Sequence, residues 1–194
     1  LEKTGYTTFA GKRFADLFGG TGIVSHHFRL QGACALSNDA ELFSSIIVSA
    51  FTSGCYTKKM EETIATLNAS TDTTVGYVTT HYSPYNGNER KFFTIENAQR
   101  IDYLRQRIES LRPTLEDTEY TFLLASLLVS ADAVSNVPAV YGCYLKNFKD
   151  KAKKRLQLVP VHTHATPAIN GSHTYHYNVL APELLTPLSV NVVY

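Results

Sequence analysis

Hydrophobic positions in this chain fall into short runs near the N-terminus and helical stripes in its middle. Phe14-Ala15-Asp16-Leu17-Phe18 is an apolar run interrupted by one carboxylate, and it stops at Gly19-Gly20-Thr21-Gly22. Ile23, Val24 and Phe28 then recur at helical spacing, and a second apolar run from Ala33 to Leu36 leads into Asn38-Asp39. The pattern predicts strand, glycine loop, helix and strand, a nucleotide-binding βαβ unit. Farther on, Thr94 is placed to cap a helix from Ile95 to about Leu111. Ile95, Ala98, Ile101, Leu104, Ile108 and Leu111 form its apolar stripe, Arg100, Arg105, Arg107 and Glu109 lie off it, and Pro113 ends it. The stretch from about Leu115 to Val134 is apolar nearly all round and predicts a buried helix. Ser70 to Lys91, rich in Thr, Tyr, Gly and Asn and centred on Tyr82-Ser83-Pro84-Tyr85-Asn86-Gly87-Asn88, reads as a long surface excursion carrying at most a hairpin.

The glycine loop carries the first chemistry. Gly20 and Gly22 let the backbone turn tightly and let a ligand come where a Cβ would clash. The helix beginning near Gly22 turns its positive end to the same point, which suits an anion. Asp39, at the carboxyl end of the second strand, is placed to accept both hydroxyls of a ribose. A dinucleotide fingerprint wants a third Gly or Ala where this chain has Ser25, and it does not ask for the acid that stands here at Asp16. Both departures favour S-adenosylmethionine (SAM) over a nicotinamide cofactor, because its methionyl end carries an ammonium as well as a carboxylate. The expected cofactor-binding residues are Asp16, Phe18, Gly20, Thr21, Gly22, Asn38 and Asp39.

Composition narrows the class. The 194 residues, 44% of them hydrophobic, suffice for one core or a core with a subdomain, and no run of eighteen apolar residues occurs. Cys34, Cys55 and Cys143 are odd in number and far apart, the usage of a reducing compartment, and the N-terminus does not read as a basic, apolar leader. A cytoplasmic location with no membrane contact is the expectation. Net charge is only +1, yet between Lys146 and Arg155 six cations (Lys146, Lys149, Lys151, Lys153, Lys154, Arg155) face the single Asp150. With Tyr141, Tyr144 and Phe148 beside it, this segment is either a phosphate footprint or a solvated helix face. Lys146, Lys149, Lys153, Lys154 and Arg155 are the expected DNA-binding set.

Five segments together resemble the Dam-like adenine-N6-specific DNA methyltransferases, in the branch that accompanies restriction systems. They are Phe14 to Ser25, Ser37-Asn38-Asp39-Ala40-Glu41, Arg90 to Asp102, Phe122 to Leu128, and Val140-Tyr141-Gly142-Cys143-Tyr144-Leu145-Lys146. They stand in the family's order and cover most of the chain. The first two are generic to SAM enzymes, and the last three are specific to this branch. The resemblance implies an α/β, doubly wound, Rossmann-like methyltransferase sheet with a largely helical insertion. Residues 1–53 and 159–194 would form the SAM-binding core, with its returning strand near Val190, and 54–158 the part that meets DNA. It further implies SAM as cofactor, double-stranded DNA as substrate, a flipped adenine methylated on its exocyclic nitrogen, and a cognate restriction endonuclease in the same system.

This sequence departs from the family in four places. The Asp/Asn-Pro-Pro-Tyr/Phe tetrapeptide that holds the target amine in relatives is missing, and Ser83-Pro84-Tyr85-Asn86 is a poor likeness of it. No Tyr-x-Gly-Ser-Lys-like segment precedes Asp16, His176-Tyr177-Asn178 stands where Asp-x-Asn is usual, and Asn191 where an aspartate is usual. The chain is therefore expected to be either a piece that stops short of the tetrapeptide or a degenerate copy, a non-catalytic DNA-binding or partner subunit with a vestigial SAM pocket. By itself it is expected to be inactive, with no catalytic residue assigned. His162-Thr163-His164 and His173-x-x-His176 lack cysteine or carboxylate companions, so surface-loop histidines are expected there and no metal.

Overall fold

The computed structural model describes residues 5, 7–53, 56–138, 141–163, 173–175 and 190–194. Two compact units account for the chain: Leu1–Lys58, Asp117–Ala125 and Val161–Tyr194 make the first, Lys59–Glu116 and Ser126–Pro160 the second.

The first unit is built on a four-stranded parallel sheet in the order β3-β2-β1-β4, with β1 at Arg13–Asp16, β2 at Cys34–Asn38, β3 at His173–Tyr175 and β4 at Val192–Val193. Phe14 pairs with Ala35 on one side and Val192 on the other, so β1 is central. Phe14, Ala15, Ala35 and Leu36 are all buried in β1 and β2, as the inner strands of a parallel sheet require. Helix α1 (Ile23–Leu30) packs Val24 and Phe28 against Phe9, Phe14 and Ala33, with the Phe28 ring stacked on Phe14 at 4.1 Å. Helix α2 (Leu42–Ser53) buries Val48, Ala50 and Phe51. The α/β architecture and the returning strand β4 beside β1 agree with the sequence reading.

The second unit is helical: α3 (Lys58–Ala69, from its second residue), α4 (Tyr77–Tyr82), α5 (Ile95–Leu111), the later half of α6 (Asp117–Ala133) and the short α7 (Asp150–Lys153). Thr94 caps α5 as expected, its hydroxyl oxygen accepting the Asn97 N–H at 3.2 Å, and Pro113 sits in the 3-10 turn Arg112–Thr114 that follows. Met60, Ile64, Leu67, Leu104, Ile108, Leu156 and Leu158 are buried in this unit.

The stretch 70–91 differs from its reading. Among the described residues it holds no hairpin; it carries α4 and a 3-10 turn at Tyr85–Gly87. Asp102, on α5, is the reason. Its carboxylate accepts the N–H groups of Gly76, Val78 and Thr79 and the Thr79 hydroxyl, at 2.6 to 3.0 Å. An acid reached from another helix thus does the work of an N-cap. Gly76 is required beside it, since a Cβ there would lie 2.7 Å from Asp102 Cγ.

Candidate cofactor crevice and basic segment

In an open parallel sheet, ligands bind at the carboxyl ends of the strands where the chain departs to opposite sides of a central strand. Here that place is the end of β1. Asp16, its last residue, is 1% exposed, and its Oδ2 accepts the Ser25 hydroxyl at 2.7 Å, which in turn accepts the Ser37 hydroxyl at 2.7 Å. The other carboxylate oxygen, Oδ1, is buried and accepts no hydrogen bond among the described residues. Burial pushes the Asp16 carboxyl above its ordinary range and the nearby Asp39 adds to this, against the pull of the Ser25 hydroxyl and the Phe18 and Ser25 amides. Asn38, at the end of β2, repeats the pattern: Nδ2 donates to the Leu17 carbonyl at 3.1 Å, whereas Oδ1 is buried without a donor among the described residues. Two inward acceptors without donors make a place for a cationic or hydrogen-bond-donating ligand.

Two bonds fix the glycine loop to the end of β2 and the residue after it, and a third orients that residue. The Gly19 N–H donates to the Asn38 carbonyl at 2.8 Å, the Gly20 N–H to Asp39 Oδ2 at 2.7 Å, and Asp39 Oδ1 accepts the Glu41 N–H at 2.8 Å. Gly22 is needed for packing as much as for conformation: its φ is 76°, and a Cβ would meet the Phe51 ring at 2.6 Å. Gly20 has room for a Cβ but holds φ at 51°. Thr21 is exposed, and Phe18 stands 79% exposed over the loop. Asp16, Phe18, Gly20, Thr21, Gly22, Asn38 and Asp39 are therefore gathered at one end of the sheet.

The basic set lies in the second unit, exposed along 146–155, but only Asp150–Lys153 is helical. The helix face that was one of the two readings of this segment is thus confined to Asp150–Lys153, within a largely irregular strap. Asparagines hold it down. Asn136 Nδ2 donates to the carbonyls of Lys91 and Leu145 while its Oδ1 accepts the Lys149 N–H. Asn97 Nδ2 donates to the carbonyls of Ala152 and Lys154 while its Oδ1 accepts the Leu156 N–H. Asn68 makes the same two-way pair with Leu158. With the backbone bound by side chains, the lysines are left outward. The Lys153–Asp150 pair at 3.3 Å is highly exposed and contributes little. Tyr141 and Tyr144 pack on Phe92, with centroids at 6.3 and 5.0 Å.

Two further readings are corrected. Arg100, expected off the buried stripe, is 2% exposed and donates to the carbonyls of Leu67 at 2.6 Å and Asp72 at 3.3 Å. His162, expected on a surface loop, is buried against Phe51 and Phe122, 5.3 Å from the His26 ring. His164 and His176 lie outside the described residues, and no cluster of metal-ligating side chains occurs among those described. Ser83 is fully buried and donates to the Thr79 carbonyl, so it serves the fold of α4. The sequence reading missed Asn68, Asn97, Asn136 and Asp102. Only Asn97 had a local signal, its place in the first turn after a capping threonine.

Residues 3–183 match the description of D12 class N6 adenine-specific DNA methyltransferases. The chain is similar to the type II methyltransferase M.CviAII of Paramecium bursaria Chlorella virus 1, 43% identical over 157 residues covering 79% of this chain and 47% of that protein. It is 34% identical over 190 residues to the type II methyltransferase M.NlaIII of Neisseria lactamica, covering 96% of this chain and 55% of the relative. Against the type II methyltransferase M.FokI of Planomicrobium okeanokoites the identity is 36%, over 75% of this chain and 24% of the relative. The chain thus spans about half the length of the first two. No solved structure matches it. A match over nearly the whole chain, joined to a parallel sheet with an acid-ended first strand and a glycine loop, places the chain in the family of D12 class N6 adenine-specific DNA methyltransferases.

Proposed function

We propose that this chain carries the cofactor pocket and a DNA-contacting region of a SAM-dependent DNA adenine-N6 methyltransferase of a cytoplasmic restriction-modification system, working alongside a cognate endonuclease. The observation that carries the reading is the buried Asp16 carboxylate whose Oδ1 lacks a donor beside a glycine loop and helix N-terminus. A zwitterionic methionyl group suits that pairing, its ammonium toward Asp16 and Asn38 Oδ1 and its carboxylate toward the first amides of α1. Asp39 would take the ribose hydroxyls while keeping the Gly20 N–H, since a carboxylate has about four lone-pair sites. SAM supplies an activated methyl group on a sulfonium; what these residues add is binding and orientation. Residues 1–53 and 159–194 are read as the cofactor core and 54–158 as the region that meets DNA, through Lys146, Lys149, Lys153, Lys154 and Arg155.

Calorimetry with SAM and S-adenosylhomocysteine tests the pocket. Losing a buried charge-assisted hydrogen-bond pair costs on the order of 1.5–3 kcal/mol, so Asp39→Ala is expected to weaken binding more than tenfold. Equal affinity in wild type and variant, or tighter binding of NADH than of SAM, refutes the assignment.

A further inference from the structure

A cleft of about 440 Å³ opens in the second unit where the first turn of α5 meets the basic strap. Its lining includes Arg100, Lys153, Arg155, Thr71, Thr73 and Glu96. Arg100 is buried, and its two terminal nitrogens are tied to main-chain carbonyls, which fixes the guanidinium; its Nε–H has no acceptor among the described residues. Arg155, exposed at the rim, donates one Nη to the Ser70 carbonyl at 3.1 Å. No carboxylate among the described residues comes within ion-pair distance of either arginine; burial and Arg155 disfavour the Arg100 charge, while Tyr103, whose ring centroid lies 5.3 Å from the guanidinium carbon, and Asp72 favour it. Burying a guanidinium without a close ion pair is costly, and a tetrahedral oxyanion between the two would offset that cost. The threonine hydroxyls and the amides that open α5 are further donors of the kind phosphates use. Glu96, exposed in that first turn, opposes an anion and bounds its affinity.

We propose that this cleft is a phosphate-binding site, with Arg100 as its fixed floor and Arg155 and Lys153 as its exposed rim. The phosphate is a phosphodiester of the DNA backbone or a free phosphate anion. The first source rests on the reading of the basic strap as a DNA contact; the site itself does not.

Two measurements on the whole chain separate these. In the first, the Arg100 Nε–H resonance is followed by NMR during titration with inorganic phosphate at constant ionic strength, with chloride as control. A saturable shift is expected. Arg155→Gln should weaken it about tenfold, the loss of one charge-assisted contact, and Glu96→Gln should strengthen it several-fold. A shift that does not saturate, or that neither variant changes, overturns the site. Both variants are at exposed positions, so folding is not in question as it is for Arg100. In the second, anisotropy of a labelled duplex is read across a salt series. A slope of log affinity against log salt lower by about one in Arg155→Gln identifies the DNA backbone as the source. An unchanged slope with the phosphate response intact identifies a free anion. A wild type that binds no duplex overturns the DNA reading above, and the phosphate titration still decides the site.

Discussion

At the scale of the residue, Asp16 sets function against stability. Because burial raises its pKa from the ordinary 3.8, the folded protein holds this proton where the unfolded chain has lost it. The sign follows: stability falls as pH rises from about that ordinary value through the raised one, and stays level above it. Asp16→Asn removes the buried charge. We expect this variant to melt higher than wild type at pH 7, to lose that part of the pH dependence, and to bind SAM far more weakly. Thermal melts from pH 4 to 8 with parallel calorimetry check this, and a lower melting temperature at pH 7 would refute it. Asp16, Ser25 and the glycines were legible in the sequence because a loop's chemistry is written in adjacent positions. Arg100 was not: it is the carbonyls of Leu67 and Asp72, 33 and 28 residues away, that let a guanidinium sit inside.

Helices of the second unit depend on one another for their ends. Asp102 on α5 satisfies three main-chain donors at the start of α4, and six-residue α4 could not hold its shape without them. Asp102→Ala leaves those donors buried or half-buried and is expected to cost about 2–3 kcal/mol, read as a lower urea midpoint for the second unit. A change below about 0.5 kcal/mol would mean that water replaces the carboxylate. A periodic stripe announced α5 and a nearly continuous apolar run announced α6, seventeen residues each. Periodicity could not announce α4, whose six residues include one aliphatic side chain, Val78, and whose cap lies 26 positions ahead. The conformation of the strap 146–155 was hidden for a related reason: its charge was plain, but the asparagines that hold its backbone lie elsewhere in the chain.

For these 194 residues taken by themselves, binding and chemistry are expected to part. Transfer to an exocyclic nitrogen needs that nitrogen held in line with the methyl, and positioning with electrostatic stabilisation supplies most of the acceleration. The Pro-Pro tetrapeptide that holds it in the family is not among the 194 residues. Tritiated SAM with adenine-containing duplexes should therefore leave DNA unlabelled above a heat-killed control. Label in the DNA would show that other residues do that work, Ser83 to Asn86 being the first to mutate. The stapled strap carries its own consequence for how the second unit opens. Amides of Lys149, Leu156 and Leu158 donate to carboxamides of Asn136, Asn97 and Asn68, while Arg155 and Gln157 between them have no amide acceptor among the described residues. Deuterium should thus enter this surface segment in a punctuated pattern, Arg155 and Gln157 exchanging at once and Leu156 and Leu158 only when the helices that carry their partners come apart.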